Sequence, residues 1–284
     1  MLIDLHAHTT ASDGSCAPAE VIARAVATGV TVLAITDHDT LDGIPGARAA
    51  ASTTSLTVIP GTELSVCAPQ GQLHILAYLP EPRPAAFAAT LEGLQEARQT
   101  RASQIVARLD ELGYPIDMAR VRALAGGSIG RPHIADVLVE AGFATDRNDA
   151  FTRLIGDDCP ASVPHRLLNP RQALNLVAEA GGVACLAHPG TLRMNARQLE
   201  SYVAHLKHLG LWGMEVYRAE HTVEQRLAYK KIARRLGLVM TGGSDFHGPD
   251  AGRHDLGDTG NPALPVEVAD LLQARLTQGV ASGL

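Results

Sequence analysis

Apolar residues fall along the chain in short runs separated by longer amphipathic stretches. Runs at residues 1–5, 30–35, 56–60, 73–79, 183–187, 213–217 and 238–241 read as buried strands. Between them, residues 18–28, 44–51, 171–180, 196–209, 223–236 and 266–276 read as helices. Pro18 suits the first helical position and Gly29 the C-terminal cap of the first helix. Strand and helix alternate, the pattern of an α/β fold with a parallel sheet. The alternation breaks from about residue 83 to residue 165, where no buried strand is expected. There, 84–112 reads as one long helix or two, shorter helices follow at 118–124, 133–140 and 147–154, and residues 126–130 form a flexible glycine-rich loop. The expected organisation is one α/β unit made of residues 1–83 and 166–284, with residues 84–165 as a helical insertion.

Composition narrows the partners. The chain has 284 residues, enough for one large domain with an insertion, and 46% are apolar, enough for a sizeable core. A formal charge of −6 gives no overall pull on nucleic acid. Any bound phosphate must therefore be held by local cations or metals. One Trp and few other aromatics argue against stacking platforms for long single strands, so no stable complex with long nucleic acid is expected. Cys16, Cys67, Cys159 and Cys185 show no C-x-x-C spacing, which points to reduced thiols and a cytoplasmic location. No apolar run is long enough to cross a membrane and no signal peptide precedes the first strand. Twelve histidines is a high number, and their placement is informative.

Residues able to bind metals gather where the apolar runs stop. His6 and His8 sit two apart at the end of the first run, so in a strand both point to one face. A turn ending in Asp13-Gly14 can bring Asp13 back over them. His38 follows the second run, Glu63 the third, His188 the fifth, and Asp245 and His247 the last. In parallel α/β barrels the C-terminal strand ends form one rim, and active sites sit there. His74 lies near the start of its run and joins the set only if residues 63–67 and 73–79 fold back on each other. Taken singly, each has another use: Asp37 and His38 as a helix cap, Glu63 as a surface acid, Asp245 as a turn residue. Together at successive strand ends they point to metal. Mixed imidazole and carboxylate ligands suit Zn, Mn or Fe(II) and not Ca. The set is too large for one ion; two or three, with about three protein ligands each, would leave positions open for water and substrate.

Five motifs carry a resemblance: Asp4-Leu5-His6-Ala7-His8-Thr9-Thr10 with Ser12-Asp13-Gly14, Ile35-Thr36-Asp37-His38-Asp39-Thr40, Pro60-Gly61-Thr62-Glu63-Leu64-Ser65, Leu186-Ala187-His188-Pro189-Gly190, and Gly242-Gly243-Ser244-Asp245-Phe246-His247-Gly248. The series resembles that of the PHP (polymerase and histidinol phosphatase) superfamily over residues 3–247. Within it, the likeness is to the stand-alone bacterial phosphoesterases. That resemblance implies a distorted (β/α)7 barrel with a helical insertion and a site for two or three divalent ions (Mn, Zn or Fe). It implies that His6, His8, Glu63 and Asp245 hold one metal, that Glu63 bridges to a second held by His74 and His188, and that Asp13, His38 and His247 hold a third. It also implies hydrolysis of a phosphoester by a metal-bound hydroxide.

Substrate selection has fainter signals. Arg131 and His133 flank Pro132 at a loop-to-helix junction, where free backbone amides favour an anion and Arg131 offers a bidentate fork. Arg98 and Arg101 lie three apart on one helical face, and Arg218 follows a strand at the rim. Asp37 and Glu215 stand near the rim, as candidates for supporting a ligand or protonating the leaving group. His165, His205, His208, His221 and His254 have no partner pattern and read as surface or structural. The arginine count suits one phosphate beyond the one being cleaved, so the expected substrate is a small phosphomonoester, a nucleoside 3',5'-bisphosphate first. The alternatives are histidinol phosphate, short oligonucleotides attacked 5' to 3', and, in another class, a non-enzymatic metal-binding module.

Overall fold

The expected strands assemble into one seven-stranded sheet whose order follows the sequence. They are β1 Leu2–Asp4, β2 Val30–Ile35, β3 Thr57–Val66, β4 Leu73–Tyr78, β5 Val183–Leu186, β6 Gly213–Tyr217 and β7 Val239–Gly242. The structure, a computed structural model, describes residues 2–80, 85–165, 167–249 and 254–282. Beyond the formal strand ends the sheet closes on itself. Leu5 N donates to Gly242 O at 3.3 Å, Asp245 N to His6 O at 2.9 Å, and His8 N to Phe246 O at 2.8 Å. Gly243 permits this closure, because a Cβ there would lie 2.4 Å from the Cβ of His6. Buried Asp4 adds a clasp: it accepts from Ser244 N at 2.9 Å and from Gly257 N at 2.8 Å.

The sheet is not wholly parallel. β1, β2 and β3 run together, as do β5, β6 and β7, but β4 is antiparallel to both of its neighbours. The cause is the connection at residues 67–72, far shorter than the dozen or so residues that a parallel crossover needs. The expected strand at 56–60 also runs on, because β3 extends to Val66 to form this hairpin. Reversal of β4 puts its start, and so His74, at the rim where the other strands end.

The helices are α1 Pro18–Thr28, α2 Gly43–Ala51, α3 Ala85–Glu111, α4 Met118–Ala125, α5 Arg131–Glu140, α6 Arg147–Ala150, α7 Pro170–Glu179, α8 Ala196–His208, α9 Val223–Leu236 and α10 Glu267–Ser282, with a π-helical turn at Phe151–Ile155. Gly29 caps α1 in the left-handed region at φ 81°. The 27 residues of α3 form a single helix about 40 Å long. Its first half packs Phe87, Leu91 and Leu94 into the barrel core. Its second half packs Ala102, Ile105 and Leu109 with Val121, Ile134 and Leu138 into a separate core. One helix thus climbs the barrel flank and passes into a helical cap, so the cap's own core begins well after residue 84. Residues 83, 84 and 166, where the sequence places the insertion boundaries, lie outside the described residues. No helix among the described residues is long and apolar enough to cross a membrane.

Candidate metal centre

The site starts at the end of β1. Alternation sends Ala7 into the packing around α1 and α2 and leaves His6 and His8 on the opposite face, both fully buried. A turn then folds residues 9–12 back, and Asp37 holds it from beneath. Asp37 Oδ1 accepts from Thr9 N at 2.7 Å and Ser12 Oγ at 2.7 Å, and its Oδ2 accepts from Thr9 Oγ1 at 2.8 Å. The turn delivers Asp13 to within 3.7 Å of His8 Nδ1 and 3.3 Å of His247 Nε2.

Four side chains from three strands converge on one point. The Nε2 atoms of His6 and His8 lie 3.1 Å apart. Glu63 Oε2 is 3.1 Å from the first and 3.2 Å from the second, and Asp245 Oδ1 is 3.2 and 3.3 Å from them. A tetrahedral ion with bonds of about 2.0 Å has ligands about 3.3 Å apart, so the spacing matches such a shell. Glu63 divides its two oxygens. Oε1 faces His74 Nδ1 at 2.8 Å and His188 Nε2 at 2.7 Å, while Oε2 faces His6, His8 and His38. A further grouping gathers His8, Asp13, His38 and His247. His38 also groups with Glu63 and His74, so it stands between two positions. His188 at φ 24° and Asp245 at φ 55° adopt left-handed backbone, the kind of strain that persists where surrounding structure fixes a functional residue.

The electrostatics of the cluster suit a bound cation. Burial alone would raise the Glu63 carboxyl, but His38, His6, His74 and His188 hold it well below the usual range. Asp13 and Asp245 are likewise buried and held low by neighbouring imidazoles, helped at Asp245 by Arg218. The imidazoles are driven in opposite directions. Burial pulls His8 down, yet Asp245 and Glu63 raise it to about 9, while burial takes His38 down to about 3. Asp13 Oδ1 and His38 Nδ1 are buried and, although 3.3 Å from His247 Nε2 and Glu63 Oε2, make no hydrogen bond of good geometry. Buried orphan atoms of this kind need an explanation, and divalent ions taken up by deprotonated ligands supply one.

A carboxylate behind the ligands orients two of them. Glu215 Oε1 lies 3.1 Å from His6 Nδ1, and its Oε2 accepts from His188 N at 2.6 Å. Such partners fix the tautomer and aim of a metal-binding imidazole.

Above this floor lies a cleft of about 600 Å³, bounded on its far side by Arg98, Arg101, Arg131 and His165 from the cap. Arg131 donates to Asp157 Oδ1 at 2.7 Å and lies over the Phe151 ring at 5.4 Å. Arg101 donates to Val163 O at 2.8 Å. Arg98 is bound to buried Asp39 at 2.6 Å and to Ser65 Oγ at 2.7 Å, tying α3 to the rim.

Three of the other candidates sit differently from Arg101 and Arg131. Asp37 does not line the cleft, since both its oxygens anchor the turn. His133 is buried, and its Nδ1 accepts from Gly130 N at 3.0 Å, so it caps α5 and lines no part of the cleft. Arg218 does line the cleft but is 2% exposed and ringed by Glu215, Glu220 and Asp245 at 3.4, 2.8 and 3.1 Å. His165 was missed. Burial beside Arg98 and Arg101 takes it down to about 3, a neutral imidazole among cations, and no sequence spacing announced it.

A closed α/β barrel whose rim carries a histidine–carboxylate centre facing the arginines of a helical cap fits a metallohydrolase-type site. Comparison with known proteins agrees. The PHP domain model matches residues 4–115. A 3',5'-nucleoside bisphosphate phosphatase of Chromobacterium violaceum is 34% identical over 259 residues, covering 90% of this chain and 91% of that protein. A 5'-3' exoribonuclease of Escherichia coli is 35% identical over 252 residues, covering 88% of this chain and 86% of that protein. A crystal structure from Bifidobacterium adolescentis, described as a metal-dependent phosphoesterase, aligns at a TM-score of 0.87 with 31% identity over 96% of this chain and 95% of that one. The chain belongs to the PHP family of metal-dependent phosphoesterases.

Proposed function

We propose that the protein hydrolyses a phosphomonoester of a small nucleotide, with a nucleoside 3',5'-bisphosphate as the preferred substrate. The observation that carries this is the division of one cleft into a ligand-rich floor and an arginine-bearing wall. Its volume of about 600 Å³ suits a nucleotide-sized ligand. The C. violaceum relative is named for this substrate class.

In this proposal His6, His8, Asp13, His38, Glu63, His74, His188, Asp245 and His247 hold two or three Mn, Zn or Fe ions, the floor grouping most of them by distance. Bound there, the ions would supply Lewis-acid charge and a water of lowered pKa. The chain's own residues do the rest. Glu63 keeps its two oxygens on opposite sides of the centre, setting the spacing of the ligands around it. Glu215 holds the proton on His6 Nδ1, leaving Nε2 as the donor atom toward the centre. Arg101 and Arg131 bind the phosphate that is not cleaved. Burial, with Arg131 and Arg98 close by, lowers Arg101 to about 10, so it stays charged at neutral pH and gains from a nearby dianion. Asp157 and Phe151 hold Arg131 in place for that contact. The cap thereby selects substrate while the floor performs hydrolysis. A cytoplasmic location, where such nucleotides are made and used, belongs to the same proposal.

A second reading, removal of nucleotides from the 5' end of RNA, is favoured by the E. coli relative. A phosphate-release screen decides. Chelated protein should be inactive, and Mn, Zn or Fe(II) should restore it. Restored enzyme should show a higher kcat/KM on a 3',5'-bisphosphate than on the matching monophosphates, short RNA or histidinol phosphate. Best turnover on RNA or histidinol phosphate would overturn the substrate assignment, and full activity in metal-free protein would overturn the whole proposal.

A further inference from the structure

Arg218 is among the largest fully buried side chains in the protein, although it sits beside a centre that must attract cations. Its contacts are unlike those of a phosphate-binding arginine. One terminal nitrogen is 3.1 Å from Asp245 Oδ2 and 2.8 Å from Glu220 Oε2, and the other is 3.4 Å from Glu215 Oε2. Each of its two inner partners turns its other oxygen to a histidine of the cluster. Asp245 Oδ1 faces the Nε2 atoms of His6 and His8 at 3.2 and 3.3 Å. Glu215 Oε1 faces His6 Nδ1 at 3.1 Å, while its Oε2 also accepts from His188 N at 2.6 Å.

We infer that Arg218 and Glu215 form one buried positioning unit that sets His6, His188 and Asp245, which come from three different strand ends, at their ligating geometry. The inference rests on the metal-centre part of the proposed function and assigns Arg218 to the ligands instead of the substrate. Asp245 needs such a hold, because its backbone is in the left-handed region at φ 55°. His188 needs one too, at φ 24°, and Glu215 supplies it through the backbone amide. Glu215 and Arg218 are one helical turn's spacing apart but lie on β6 and the loop that follows it, so both reach the rim between β5 and β7. A third carboxylate, Glu220, adds a bond on the outer side of the guanidinium.

The sign of the effect separates positioning from simple charge. A guanidinium near divalent ions repels them, so if its charge were all that mattered, removing it would tighten metal binding. If it positions ligands, removing it weakens binding. The test is titration of Mn(II) into chelator-stripped full-length protein, with wild type, Arg218→Met, Arg218→Lys and Glu215→Gln in parallel. The Mn-induced rise in melting temperature is read on the same samples, together with inhibition of the Mn-loaded enzymes by inorganic phosphate. Loss of an outer partner of a metal ligand typically weakens metal affinity about 10–100-fold, and that is expected for Arg218→Met and Glu215→Gln. Arg218→Lys, which keeps one donor, should fall between Met and wild type. The Mn-induced stabilisation should shrink in the same order, and phosphate inhibition at saturating Mn should stay within about twofold of wild type. Should Arg218→Met fail to fold, the near-isosteric Glu215→Gln carries the same test. Unchanged or tighter Mn binding in the variants, with weaker phosphate inhibition, would overturn the inference and return Arg218 to the substrate. Wild-type protein that takes up no Mn, Zn or Fe would overturn the proposed function as well.

Discussion

The floor and the wall of the cleft present polar side chains to the same space but hold them in different ways. On the floor, His6, Glu63 and Asp245 stand on strands or strand ends whose neighbours are joined by backbone hydrogen bonds, and their side chains are almost wholly buried. On the wall, Arg101 and Arg131 stand on helices of a separate core and are only part-buried, held by a carbonyl or an ion pair. Rigidity suits ions that tolerate little error in ligand spacing. A helical cap tolerates change, so in the proposed function the choice of substrate can vary while the metal-binding floor stays fixed. The family relatives fit that division, because proteins about one-third identical to this chain over most of their length carry names for different phosphoester substrates.

The largest effect should come from breaking the floor at its centre. Glu63→Ala removes the carboxylate that faces both sides of the cluster, and elemental analysis should show loss of more than one ion. Losing several kcal/mol of charge stabilisation is roughly a thousandfold in rate. A variant that keeps full metal content would break the comparison at its base. Gly243→Ala comes next. The added Cβ would meet the Cβ and N of His6 at 2.4 and 2.5 Å, both part of the closing seam. Overpacking of this kind costs about 1–3 kcal/mol, visible as a lower melting temperature and weaker metal retention. Wild-type melting would mean that the seam is looser than described.

The wall should answer more mildly and in a different quantity. Arg131→Ala should raise KM for a bisphosphate, since one charged hydrogen-bond partner is worth roughly 1.5–3 kcal/mol, and should leave metal content alone. The smallest effect belongs to the cap's outer surface. The pair Arg120–Glu140 is solvent-exposed, and Arg120→Ala should change neither KM nor metal content measurably. A clear KM change there would show that the cap acts as a whole and not through the cleft-facing arginines.

The floor was legible in the sequence because strand ends announce themselves: an apolar run stops, and a histidine or acid follows. His74 was weaker by spacing, since it required residues 63–67 and 73–79 to fold back on each other, and the antiparallel pairing of β4 with β3 supplies that fold-back. The wall was half legible. Arg101 and Arg131 were candidates by chemistry, but their neighbour His165 carries no spacing and is placed by tertiary packing alone. Asp37 and His133 look like site residues in sequence; in the structure Asp37 holds the turn at residues 9–12 through one amide and two hydroxyls, and His133 caps a helix through a backbone amide. His133 had a readable signal, as the third residue of a helix opened by Gly130 and Pro132, where a side chain can reach back to the cap. Asp37 had none, because its partners Thr9 and Ser12 come from a turn far earlier in the chain. Arg218 shows the reverse: a rim arginine suggests phosphate in sequence, and only the structure shows three carboxylates around it.

The claim that the floor performs the chemistry and the wall chooses the substrate is tested most directly by one ratio. It is kcat/KM for a nucleoside 3',5'-bisphosphate over that for the matching 5'-monophosphate, measured in wild type and Arg131→Ala at matched metal content. The account predicts a ratio well above one in wild type that falls toward one in the variant, through KM, with kcat on the monophosphate little changed. A ratio that stays the same, or a variant that loses metal, would contradict it.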